Sequence, residues 1–140
     1  MEGEALELSR IIAAPIEKVW QVWTDPTEMT QWYAPETLTT PEAEVDLAVG
    51  GVYRIVMSGP DERHVAVGTF TAVEPLRTLS FTWRWEEDKQ NTQVTVTLEE
   101  IEPGTTKVTL RHEGFADEMG VQRHTHGWRS TLNKLERHLI

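Results

Sequence analysis

The chain has 140 residues, 39% hydrophobic and 26% charged, with a formal net charge of −10 and no cysteine. Such a composition and length suit one soluble domain. The acidic balance argues against nucleic acid and anionic membrane as partners, and the missing cysteine excludes disulfides, thiol catalysis and cysteine-based zinc sites. No apolar run approaches the ~18 residues of a membrane span. The opening Met1-Glu2-Gly3-Glu4 is acidic and leads into no apolar core, so no signal peptide and a cytoplasmic protein are expected.

Residues 5–12 begin with Leu6 and Leu8 alternating with Glu7 and Ser9, which predicts a strand. Pro15 suits the first position of a helix, and Ile16, Val19, Trp20 and Trp23 follow at helical spacing. Asp25-Pro26-Thr27-Glu28 predicts a second, short helix capped by Asp25, ending before Pro35. From Pro41 the period becomes two. Val45 and Leu47, then Val52 to Met57 after the Gly50-Gly51 turn, predict a pair of strands. Alternation over 65–73, over 79–85 and over 94–98 predicts three more, and Val108, Leu110 and His112 form the inner face of the last.

Glu118 to Ile140 predicts a long helix. Asp117 suits the N-cap, and Arg137 and His138 suit the negative end of the dipole. Val121, Trp128, Leu132, Leu135 and Leu139 make an apolar stripe, interrupted by His124 and Thr131. Val121 to Trp128 is the half in which a pocket wall is expected, and Leu132 to Leu139 the half expected to pack solidly. The predicted order is strand, two helices, six strands, long helix. Short turns imply an antiparallel meander, and strands with one apolar face imply a two-layer α+β arrangement with the helix over that face.

With these pieces in order, the sequence resembles the helix-grip fold of the START and polyketide-cyclase (SRPBCC) superfamily, and within it the family related to the activator of heat-shock-protein ATPase. The resemblance rests on Ala14-Pro15-Ile16-Glu17-Lys18-Val19-Trp20, Trp23-Thr24-Asp25-Pro26, Trp32 near Pro35, and Gly50-Gly51-Val52-Tyr53-Arg54. Gly68, Leu79-Ser80-Phe81-Thr82-Trp83, Gly114-Phe115, and His124 before Gly127-Trp128 continue it along nearly the whole chain. It implies a curved antiparallel sheet of about seven strands gripping the C-terminal helix, with a cavity between, in a single START-like domain over residues 1–140. Members that act on the chaperone carry a further N-terminal domain, for which 140 residues leave no room.

Candidate cavity residues follow. Trp83, Trp85 and Trp128, with Phe81, read as an aromatic wall or a filled core; Phe81 and Trp128 suit the core better, and Trp85, at a strand end, suits the cavity. Trp32 and Tyr33 read as a lid over the sheet or as gate residues. His124 reads first as a packed histidine bonded to a backbone carbonyl and second as a polar group aimed into the cavity. His112 reads equally as a packed residue and a ligand contact. Arg54, if its face is internal, needs a carboxylate partner, and Asp46 across the turn is expected to form that ion pair. Glu86, Glu87 and Asp88 read as a solvated loop.

His124 and His126 point to different sides of a helix, and no His-Glu-x-x-His pattern occurs, so neither a metal nor a cofactor is expected. No nucleophile motif is present either. The expected function is binding of a small apolar or amphipathic molecule. The alternatives are a module that stimulates a heat-shock-protein ATPase, and a cyclase- or hydrolase-type enzyme with His112 or His124 as base.

Overall fold

The computed structural model describes residues 4–35 and 37–140, so the Met1-Glu2-Gly3 opening lies outside the described residues. The chain runs β1 (Glu4–Ile12), α1 (Ile16–Thr24), α2 (Pro26–Met29), then β2 (Thr39–Val45), β3 (Val52–Gly59), β4 (Glu62–Glu74), β5 (Thr78–Trp85), β6 (Thr92–Glu102) and β7 (Thr105–Phe115), and ends in α3 (Glu118–Leu139). This is the expected element order and an α+β helix-grip arrangement.

The helix starts have identifiable causes. Asp25 accepts from the Thr27 backbone N–H at 2.9 Å, with Pro26 at the first helical position of α2. Asp117 accepts from the Gly120 N–H at 3.0 Å and starts α3. Pro15 sits one position earlier than expected. It is the N-cap of α1, extended at ψ 148°, while its carbonyl accepts from Lys18 and Val19. The buried stripe of α1 is Val19, Val22 and Trp23, with Ile16 and Trp20 at its margin.

The strands form one antiparallel sheet in the order β1-β7-β6-β5-β4-β3-β2. The last six are the expected meander. β1 pairs with β7 at the far edge, because α1 and α2 carry the chain across to the opposite edge before β2 begins. The sheet is curved, and two sites show how. Tyr53 lies opposite Gly68, and its hydroxyl reaches over that residue to donate to the Thr82 carbonyl on β5 at 2.5 Å. A Cβ at position 68 would meet the Thr82 oxygen at 2.0 Å and the Tyr53 ring at 2.7 Å, so only glycine admits this close approach. At the end of β7, Glu4 pairs with Phe115 and Ala5 with Glu113, leaving Gly114 as the extra residue of a β-bulge at φ +96°. Strict alternation from His112 would turn Phe115 outward. The bulge turns it inward, where it is 5% exposed.

The inner face carries Tyr53, Ile55 and Met57 of β3, Ala66 and Phe70 of β4, Leu79, Phe81 and Trp83 of β5, and Val108, Leu110 and His112 of β7, all buried. Against it α3 lays Trp128, Thr131, Leu132 and Leu135, so the C-terminal half of the helix is solidly packed. Lys134 secures that half by donating to the Pro35 and Leu38 carbonyls at 2.8 and 2.6 Å. His138 adds a 2.9 Å contact with Glu28 on α2.

The expected Arg54–Asp46 pair is not formed. The β2–β3 register sets Glu44 opposite Arg54, on the half-exposed outer face. Arg54 Nε instead donates to Glu86 Oε2 at 3.1 Å, and Glu42 stands at 4.0 Å. The Asp46 backbone is engaged in the tight turn, its N–H bonded to Val52 and its carbonyl to Ala48. Among the described residues no helix is long and apolar enough to cross a membrane, and no group of three or more His, Asp or Glu side chains could hold a metal ion.

Candidate functional site

Between the N-terminal half of α3 and the sheet lies a cavity of about 380 Å³. Trp83 and Trp85 of β5 and Met57 of β3 form its floor, and Tyr33 and Pro35, after α2, close one side. α3 supplies Gly120, Arg123, His124, Gly127, Trp128 and Thr131, and Asp88 of the β5–β6 loop also lines the cavity. These α3 positions recur at three and four residues, so one face of the helix forms the wall. The walls are therefore mainly aromatic, with a few polar atoms at defined places. Cavities that hold small molecules are of this kind and size.

Trp83 packs against Trp85 at 5.5 Å, Trp128 at 5.5 Å and Tyr33 at 6.5 Å between ring centroids. Trp83, Trp85, Trp128 and Tyr33 thus line the cavity together. Phe81 lies away from this cavity, packed on Tyr53 and Phe70. Trp32 does not reach the cavity either. It is 1% exposed, donates from Nε1 to the Val22 carbonyl at 3.0 Å, and packs edge-on to Trp23 beneath the wall. A buried indole with its N–H satisfied there supports Tyr33 rather than touching a ligand.

His112 is the other sequence candidate that does not line the cavity. Trp128 Nε1 donates to its Nδ1 at 3.0 Å. An indole nitrogen can only donate, so Nδ1 carries the lone pair and Nε2 the hydrogen. Nε2 then donates to Thr92 Oγ1 at 2.6 Å, and the Thr92 hydroxyl donates to the Trp83 carbonyl at 2.9 Å. The chain of bonds links two cavity walls from behind. It leaves His112 no lone pair with which to take a proton, so a base at this position is not available. Burial, with a smaller contribution from His124, pushes its pKa down to about 2.

His124 is bonded within its own helix and lies on the cavity. Its Nδ1 donates to the Gly120 carbonyl one turn back at 2.9 Å, and the ring lines the cavity. Phe115 and His112 flank it, at 4.7 and 5.1 Å between centroids. Because Nδ1 holds the hydrogen, Nε2 of the neutral ring is an acceptor, and it has no partner among the described residues. Burial first, and then Arg123, lower the pKa, against the raising effect of the Gly120 bond. Two nearby donors lack partners among the described residues. The Tyr33 hydroxyl is kept protonated by burial and has no hydrogen-bond partner among the described residues. The Trp83 indole N–H is buried without one.

Sequence reasoning missed Met57, Pro35, Arg123, Asp88 and the two glycines. Asp88 read from the sequence as part of a solvated loop, Arg123 was not singled out, and nothing local marks either as a cavity residue. The glycines did carry a signal. Gly120, His124, Gly127 and Thr131 form a run of small or polar residues on one helix face, where glycine costs about 1 kcal/mol against alanine. Neither glycine is enforced by the backbone. A Cβ at position 127 would make only one ordinary contact, at 3.8 Å to Pro35. Its absence leaves space in the cavity. Asp88 is held in place from behind by Arg84, which donates to the Glu86 and Asp88 carbonyls at 3.0 and 2.8 Å.

A curved antiparallel sheet closed on a C-terminal helix, with a cavity between them, defines a helix-grip protein. The comparisons agree. A protein of Silicibacter pomeroyi described as AHSA1 is 29% identical and superposes with a TM-score of 0.86 over 97% of each chain. A Nitrosomonas europaea protein is 25% identical, with a TM-score of 0.85 over 96% of this chain and 93% of that one. A Mesorhizobium loti protein is 28% identical, with a TM-score of 0.76 over 97% and 96%. No curated protein matches the sequence significantly. Residues 13–139 match the family profile described as Activator of Hsp90 ATPase homolog 1-like protein, and the chain belongs to that family.

Proposed function

We propose that this chain, as a single START-like helix-grip domain over residues 1–140, binds a small apolar or amphipathic molecule in the cavity beneath α3. The observation that carries the proposal is the cavity itself: about 380 Å³, walled by Trp83, Trp85 and Trp128, and reached by few polar atoms. Membership of a fold group that commonly holds hydrophobic ligands supports it. Tyr33 and His124 are the ligand-contact residues with free polar atoms. Trp32 and His112 act from behind the wall.

The test is to fill the cavity. Gly127→Leu places an isobutyl group on the wall, where its Cβ would meet only the Pro35 side chain, at an ordinary 3.8 Å. Amide chemical shifts are recorded while the native chain and the variant are titrated with a panel of lipids, polyketides and aromatic compounds. Binding compounds should shift Trp85, His124 and Trp128 in the native chain and lose at least tenfold in affinity for the variant, which should melt no lower. A panel that leaves those residues unmoved would end the proposal.

The family description supports a second reading, contact with a chaperone ATPase. Stimulation of the cognate chaperone's ATP hydrolysis by this chain, undiminished in Gly127→Leu, would favour that reading over ligand binding.

A further inference from the structure

Arg123 lines the cavity, yet its polar contact is only the Met119 sulfur, at 3.3 Å. No carboxylate stands within ion-pair distance of it among the described residues. Arg123 is an exposed residue, so its guanidinium is open to a ligand and is not held by a carboxylate among the described residues. Other arginines do find carboxylates: Arg10 meets Glu136, Arg54 meets Glu86, and Arg111 meets Glu113. Beside Arg123, His124 lines the same cavity and has one ring nitrogen without a partner among the described residues. We infer that the ligand is an apolar carboxylic acid bound as its anion, with the carboxylate against Arg123 and His124 and the apolar body among Trp83, Trp85 and Trp128. This inference rests on the cavity-binding reading above and adds the chemistry of the ligand's polar end.

A neutral hydroxyl could satisfy His124 Nε2 but would leave Arg123 without a partner. A carboxylate satisfies both once His124 takes one proton from solvent at Nε2 and donates it in a hydrogen bond, and an arginine fork matches carboxylate geometry. The groups around His124 set the direction of this linkage. Arg123 on its own helix and burial both oppose the imidazolium. His112 on β7 is neutral and adds no counter-charge. Asp88 also lines the cavity and is the one acidic residue on it among the described residues. It repels an anion placed near it, so the carboxylate belongs with Arg123 and His124. A bound carboxylate supplies the missing negative charge, so binding should draw in a proton.

A matched pair of probes decides the matter: 2-naphthoate and its neutral isostere 2-naphthamide, titrated calorimetrically into the intact chain between pH 6 and 8. The acid should bind about tenfold more tightly than the amide, the scale of one charge-assisted contact. Its affinity should rise as pH falls, with proton uptake seen as a dependence on buffer ionisation enthalpy, while that of the amide stays level. Arg123→Gln should bring the acid-to-amide ratio near one, and Asp88→Asn should raise it. An amide that binds as tightly as the acid, or a ratio unmoved by Arg123→Gln, overturns the carboxylate inference and leaves the cavity reading standing. Failure of both probes to bind overturns the two together.

Discussion

Position 112 brings an imidazole to the inner face of β7 where its neighbours bring Val108 and Leu110, and both ring nitrogens are engaged there. The folded chain keeps this ring neutral down to about 2, whereas the unfolded chain protonates it below about 6.5. Between those values the unfolded state binds one more proton. Stability is therefore fully present above pH 6.5 and declines as pH falls, by about 1.4 kcal/mol per pH unit for this one group. His124, lowered for the same main reason, acts in the same direction. Urea unfolding at pH 8, 6 and 5 should show the decline. His112→Phe should flatten it by close to one proton and lower stability at pH 8 by about 1–3 kcal/mol, since the Trp128 N–H loses its acceptor. Alternation along the strand was enough to place His112 inside. Its removal from the cavity depended on Trp128 and Thr92, which stand 16 and 20 residues away in sequence. Arg54 shows the same limit. The need for a carboxylate was legible, but the partner came from the loop after β5, which only the sheet brings near.

Elements were read well where a period persisted and less well where one residue interrupts it. The two halves of α3 differ as the stripe suggested: Leu132 and Leu135 are packed, while Gly120, His124 and Gly127 face the cavity. Gly114 marks the interruption in β7. An alanine there must adopt φ +96°, at about 1–2 kcal/mol, or undo the bulge and turn Phe115 away from His124. Gly104, at φ +84° in the β6–β7 turn, offers the control, because a Cβ there meets nothing. Gly114→Ala and Gly104→Ala should cost similar stability in urea. Only the former should move the amide and ring resonances of Phe115 and His124. If both leave His124 unmoved, the bulge does not set that wall.

At the scale of the whole molecule, the cavity is apolar space that folding leaves unfilled, so an occupant adds contacts that the unfolded chain cannot make. A compound that fits should raise stability by about 2.7 kcal/mol at a hundredfold excess over its Kd. The shift in melting temperature should track affinity across a ligand series and vanish in Gly127→Leu. A shift that persists in that variant would locate the binding elsewhere. Hydrophobic period, caps and turn residues act within a few residues, and they were sufficient for seven strands, three helices and the covered face of the sheet. The return of β1 to β7, the partner of Arg54, the bond chain through His112, and the placing of Arg123 and Asp88 on one cavity depend on residues far apart in the chain. Those features were decided by tertiary structure, because register and curvature set which distant side chains meet and which atoms are left without partners.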